Sequence, residues 1–300
     1  MAATLAATPT PSALPNSHEF DVNGTKRDVV TELYFLKRLD HPVEAIDLRL
    51  PDVEEHFQKL DDLNQLHQVI VHDIRGEEAK YTLDKNGFQY IPHEVKELQD
   101  WSNEEEVERV LIPATDELVK RATGAFKTIL FKHRIRNKAE DKAKRQDSVA
   151  PAHSVHSDMT PIGAMNTLKN IVKDNPAELD SLLKTRIMVM NVWRPLKTIQ
   201  KDPLTVCDWT TVDAKNDLAG SRLIWKDGSW HEFGKVHFSE RQKWFYLGGQ
   251  RPDEALLFKQ FDSKVENGVS LPHSAFVDSQ FATAEPRESI EIKMFAFISE

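Results

Sequence analysis

A single cysteine, Cys207, stands among 300 residues. One thiol can close no intramolecular disulfide, and it rules out a cysteine-based zinc site. A reducing, cytoplasmic setting is therefore expected. Basic charge is also short. Lys and Arg number 39 against 48 Asp and Glu, the net charge is −9, and no basic block dominates. That balance argues against nucleic acid or an anionic membrane as partner. No apolar run approaches the ~20 residues of a membrane helix. No basic residue precedes Lys26, so neither a secretory leader nor an Arg-rich transit peptide is indicated. Gly248-Gly249 lacks the spacing of a phosphate-binding loop, and there is no solenoid repeat.

Hydrophobic residues at 40% suffice for a sizeable core. Residues 1–17, small and proline-rich, read as a disordered arm. Residues 18–300 read as a single domain, with helical and hairpin support over 18–150. Val53, Phe57, Leu60 and Leu63 give Asp52–His67 helical spacing. A β-branched run ends at Gly76, and Asn86-Gly87 separates two further strand-like runs, predicting a three-strand meander over 68–92. Glu104 to about Ile135 reads as the longest helical stretch, broken or kinked at Pro113. Lys132, Arg134, Arg136, Lys138, Lys142, Lys144 and Arg145 then read as a solvated helix end and loop, with an anion or partner patch as the other reading.

The second half changes character. Arg186–Pro195 is a near-continuous apolar run, the pattern of a strand buried on both faces. Short strand candidates follow, and the last, Ser289–Ile298, alternates Ile290, Ile292 and Met294 with Glu291 and Lys293, as a half-buried strand would. The fold class is mainly β with flanking helices, a sandwich or barrel.

In an extended strand, residues two apart share a face. His156-Ser157-Asp158 thus sets an imidazole beside a carboxylate, and His273 is the candidate third ligand. Two His and one carboxylate with an open face make the facial triad of non-haem Fe(II) oxygenases. His153 could also chelate with His156, but only His156 has a carboxylate two residues on. Arg287-x-Ser289 places a guanidinium and a hydroxyl on one face, and the planar fork of Arg suits a carboxylate. Blander readings stand beside these: a polar turn capped by Asp158 or Thr160, a surface His273, and an Arg287 paired with Glu288 or Glu291 on an exposed edge. Asn191 and Arg194 are either structural hydrogen-bonding groups or contacts for substrate or cosubstrate. Lys259 and Asp262 suggest a partly buried ion pair.

The ordered set His156-x-Asp158, His273, Arg287-x-Ser289 resembles the Fe(II)- and 2-oxoglutarate-dependent oxygenases. Asp73-Ile74-Arg75-Gly76, Asn191-Val192-Trp193-Arg194-Pro195, Leu257-Phe258-Lys259-Gln260-Phe261-Asp262-Ser263 and Pro272-His273-Ser274-Ala275-Phe276 resemble a narrower fungal hydroxylase/desaturase group. That group is related to the gibberellin desaturase and to a cephalosporin-methoxylation protein. The resemblance spans roughly residues 68–298. It implies a double-stranded β-helix, a cupin-like jelly roll, over 151–300. It implies iron on His156, Asp158 and His273, 2-oxoglutarate held by Arg287 and Ser289, and O2 as co-reactant. The implied reaction oxidises an unactivated C–H bond of a small natural product in secondary metabolism, by hydroxylation, desaturation or ring formation. A small molecule is then the partner, with a homodimer left open. A non-catalytic jelly-roll binding module, and a metal-dependent cupin-type dioxygenase without a keto acid, are the competing classes.

Overall fold

The computed structural model describes residues 26–101, 103–137 and 150–299. The expected N-terminal arm, and Lys138, Lys142, Lys144 and Arg145, lie outside the described residues. The strands are β1 (Val29–Leu36), β2 (Ile46–Asp47), β3 (Asn64–Asp73), β4 (Phe88–Pro92), β5 (Lys127–Arg136), β6 (His156–Ser157), β7 (Arg186–Pro195), β8 (Leu204–Cys207), β9 (Leu218–Ile224), β10 (Trp230–Val236), β11 (Trp244–Tyr246), β12 (Glu254–Asp262), β13 (His273–Ala275) and β14 (Ser289–Ile298). They form a nine-stranded sheet, β1-β3-β11-β8-β13-β6-β10-β9-β2, and a five-stranded sheet, β4-β12-β7-β14-β5. The architecture is the two-sheet jelly-roll sandwich. Strands from the first 150 residues enter both sheets.

Side-chain parity decides what each face of the smaller sheet does. On β7 and β14, Met188, Met190, Val192, Ile290, Ile292 and Met294 face outward against Leu111, Leu118 and Val119 of the helix over 104–123. Burying each such side chain contributes about 1.5–3 kcal/mol. The opposite face looks across at the larger sheet, where Phe88, Trp193, Leu256 and Phe258 meet Leu204, Val206 and Phe245. Helices Pro161–Ile171 and Pro176–Leu182 cover the other end through Leu168, Leu182, Phe295 and Phe297.

Several expectations are corrected. The helix predicted over 52–67 spans only Val53–Asp62, and β3 begins at Asn64. The meander does not form, because β3 and β4 belong to different sheets. The Asn-Gly pair instead closes a helical turn, Leu83–Asn86: Thr82 caps its start, and Gly87, at φ 81°, ends it in the left-handed conformation. The long helix passes Pro113 through a π turn at Val107–Leu111 and stops at Gly124, φ 74°. Beyond it, 127–136 is not helix but the edge strand β5, paired with β14. Finally, β14 is buried on both faces; its polar residues face the inter-sheet space, not solvent.

Candidate active site

His156 on β6 and His273 on β13 are direct cross-strand partners, so the sheet itself sets their rings side by side, with centroids 4.4 Å apart. Each ring is fixed from behind. His156 Nδ1 lies 2.8 Å from the Ser154 carbonyl and His273 Nδ1 lies 3.1 Å from the Leu271 carbonyl. A carbonyl only accepts, so Nδ1 carries the proton and each Nε2 presents a lone pair. Those lone pairs converge on Asp158: His156 Nε2 is 4.0 Å from Oδ1 and His273 Nε2 is 3.8 Å from Oδ2. Among the described residues these three side chains form the one such group placed to hold a metal ion, their ligand atoms all within 4.8 Å of one another. His153 stands apart, its Nε2 3.7 Å from Asp202.

The electrostatics suit a cation. Burial, reinforced by His273, pushes His156 down to about 3, so its ring is neutral and ready to ligate. Burial alone would raise Asp158, but the Lys293 ammonium and the two imidazoles outweigh it and hold the carboxyl well below its usual range. Lys293 Nζ sits 2.6 Å from Asp158 Oδ1 and 3.2 Å from Glu291. A buried carboxylate without a positive neighbour would be strongly disfavoured, and here the ammonium supplies that charge. Asn191 donates to Asp158 Oδ2 and, at 2.9 Å, to Glu291 Oε1. The Asp158 amide donates to Gln260 Oε1 at 2.7 Å.

Arg287 is only 3% exposed. Its Nη1 donates to the Asp202 carbonyl at 2.8 Å, and the guanidinium lies 5.3 Å from the centre of the Trp193 ring. Among the described residues, Nε has no hydrogen-bond partner, and neither has Ser289 Oγ. Burial, then repulsion from Arg136, lowers Arg287 to about 9, which leaves it cationic at neutral pH. Two buried donors without acceptors are unusual. Arg287 lines a small cavity together with Trp193, His156 and His273. A second, wider cavity of about 540 Å³ reaches His156 and Asp158 from the other side.

The other site candidates divide. Asn191 reaches the site as a holder of Asp158. Arg194 does not: three residues along the same strand, it points to the outward face, where Nη1 donates to the carbonyls of His93, at 2.6 Å, and Pro252, at 2.9 Å. Lys259 and Asp262 pair at 2.6 Å in full burial, joined by Arg186. Arg75 likewise bonds Glu254 and the Gly248 carbonyl at 2.6 Å. Lys293, Glu291 and Gln260 escaped the sequence reading. The alternation along β14 was the available signal, since polar residues inside a sheet covered on both faces need an internal partner.

A family model described as an oxidoreductase/YMDC permease-like domain matches residues 33–297. Among the described residues, no helix is long and apolar enough to cross a membrane. The hydroxylase/desaturase efuI of Hormonema carpetanum is 34% identical over 257 residues, covering 76% of this chain and 83% of that protein. The chain belongs to the fungal Fe(II)/2-oxoglutarate-dependent hydroxylase/desaturase family. Another similar protein, the alpha-ketoglutarate-dependent dioxygenase phiK of a fungal species, is 31% identical over 263 residues, 85% of this chain and 93% of its own length. A solved structure of the iron- and alpha-ketoglutarate-dependent endoperoxidase NvfI matches with a TM-score of 0.76 at 25% identity, covering 92% of this chain and all of that one. As a member of this hydroxylase/desaturase family the chain is a dioxygenase using Fe(II) and 2-oxoglutarate.

Proposed function

We propose that His156, Asp158 and His273 hold the iron, that Arg287 with Ser289 receives the distal carboxylate of 2-oxoglutarate, and that the wide cavity takes a small natural product for C–H oxidation. The observation that carries this reading is Arg287, a buried guanidinium whose Nε has no partner among the described residues and which lines a cavity that reaches the histidines. Nη1 is held by the Asp202 carbonyl, but a buried Nε–H without an acceptor is a standing cost, and a carboxylate is the ligand a guanidinium's geometry fits. The donor set at the three ligands, two neutral imidazoles and one carboxylate, is that of a facial Fe(II) site.

Bound there, iron and the keto acid supply an oxidant able to attack an unactivated C–H bond. The chain's own residues do the rest. The Ser154 and Leu271 carbonyls fix the tautomer and tilt of both imidazoles. Asn191 and Lys293 hold the Asp158 carboxylate at its two oxygens, the outer support that ligand geometry depends on. Trp193 backs the Arg287 guanidinium. The aromatic wall of the wide cavity, including Phe131, Phe233 and Trp230, orients an apolar substrate and limits water at the reacting face. Hydroxylation, desaturation and ring closure share this machinery, and the substrate's position against that wall selects among them.

The test is anaerobic addition of Fe(II) and 2-oxoglutarate. A weak visible charge-transfer band is expected, lost in His156→Ala. A protein that takes up iron with His156 replaced, or gives no band when intact, would sink the reading.

A further inference from the structure

The wide cavity is charged against the trend of the molecule. Four of its lining side chains are cationic, Lys132, Arg134, Arg136 and Lys293, against two acidic ones, Asp158 and Glu291, although the chain as a whole carries −9. His156 adds no charge, being held neutral by burial. Iron on Asp158 would widen the surplus.

The cations are ordered by the sheet. Lys132, Arg134 and Arg136 alternate along β5, and their cross-strand partners on β14 are Lys293, Glu291 and Ser289. Arg134 is thus opposite an acid. Arg136 borders both cavities and donates to the Ala150 carbonyl at 2.5 Å. Lys132 is opposite another lysine, an arrangement that destabilises a strand pair. Lys293 answers with Asp158 and Glu291. Lys132 has no ion-pair partner among the described residues. Lys132 is an exposed residue of the strand, but desolvation at the cavity, then Arg134 and Lys293, push its ammonium below its ordinary range against the opposite pull of Asp158 and Glu291. An anion in the cavity would relieve that repulsion. The facing wall is apolar: Leu223, Trp225, Trp230 and Phe233.

We propose that the substrate is an apolar, ring-bearing molecule carrying a carboxylate-class anionic group, with Lys132 and Arg134 of β5 receiving the anion and the aromatic wall receiving the rings. This rests on the reading of the wide cavity as the substrate site. It replaces the expectation of a merely solvated segment for the part of the basic run that β5 contains.

The probes are a matched fluorescent pair: 8-anilinonaphthalene-1-sulfonate, and N-phenyl-1-naphthylamine, which has the same rings without the charge. Each is titrated anaerobically into protein loaded with Fe(II) and 2-oxoglutarate. The intact protein should bind the sulfonate at least about tenfold more tightly than the neutral probe, the scale of one charge-assisted contact. The Lys132→Ala/Arg134→Ala double variant should lose that preference while keeping its affinity for the neutral probe. Lys132→Arg should retain it. Equal affinities in the intact protein, or a preference that survives the double variant, would overturn the proposal. The charge-transfer band on the same samples separates two failures: band present without preference rejects only the anionic substrate, whereas no band rejects the iron and keto-acid reading beneath it.

Discussion

Two cavities meet at His156 and are built on opposite plans. The smaller one is lined by Arg287, Trp193 and His273, and Arg287 is buried and held at Nη1 by the Asp202 carbonyl. The wider one, about 540 Å³, sets an aromatic wall from β9 and β10 against a row of cations on an edge strand. The first is narrow, about 20 Å³, with room for little more than a carboxylate group, the part of the cosubstrate we propose it receives. The second is roomy, with its recognition on an edge strand and loops, where side chains can change without disturbing the sandwich. The three candidate ligands thus stand on and beside β6 and β13 of the larger sheet, while the cations of the wide cavity stand on β5, the edge strand of the smaller one.

The contrast can be broken at its shared corner first. Asp158→Ala removes the carboxylate beside His156, the histidine that lines both cavities. Iron uptake should fail and succinate release should fall by at least about 10³-fold, the scale of losing one member of a catalytic unit; metal analysis and turnover check this. Next, Asn191→Ala takes away the donor on Asp158 Oδ2 while touching neither cavity wall. Iron affinity should weaken by about 10–100-fold, and a wild-type metal affinity would show that Asn191 is only packing. A pH profile sharpens the difference between the cavities. Arg287 is charged below about 9, so kcat/KM for 2-oxoglutarate should be level near neutrality and fall as pH rises through that value. A fall that begins on the acid side would be inconsistent with an arginine cation. The smallest effect on function belongs to Leu118→Ala, on the outward face of the smaller sheet. It should cost about 2–5 kcal/mol of stability and leave metal and keto-acid affinities at their wild-type values.

Much of the site was legible because its logic is local. His156 and Asp158 lie two residues apart, and Arg287 and Ser289 repeat that spacing beside a strand rich in β-branched residues. What the sequence could not separate was the kind of polar environment a strand face meets. Glu291 and Lys293 alternate with apolar residues whether the far side is water or an internal cavity. The same ambiguity hid β5, where Ile129 and Leu130 continue the 3- and 4-residue spacing of Ala122, Ala125 and Phe126 until Gly124 is seen to end the helix. Asn86-Gly87 misled for a related reason: the positive φ that a hairpin needs also terminates a helical turn. Arg194 was decidable in principle. An odd separation from Asn191 puts it on the opposite face of β7, and so away from the ligands.

Arg287 decides whether the smaller cavity receives the keto acid. Iron and 2-oxoglutarate affinities should be measured anaerobically for the intact protein and for Arg287→Ala. Iron affinity should be unchanged, while 2-oxoglutarate affinity drops by about 100-fold, as expected when a buried carboxylate loses a charged, two-pronged partner. A variant that binds 2-oxoglutarate as tightly as the intact protein would contradict the assignment of the smaller cavity to the keto acid.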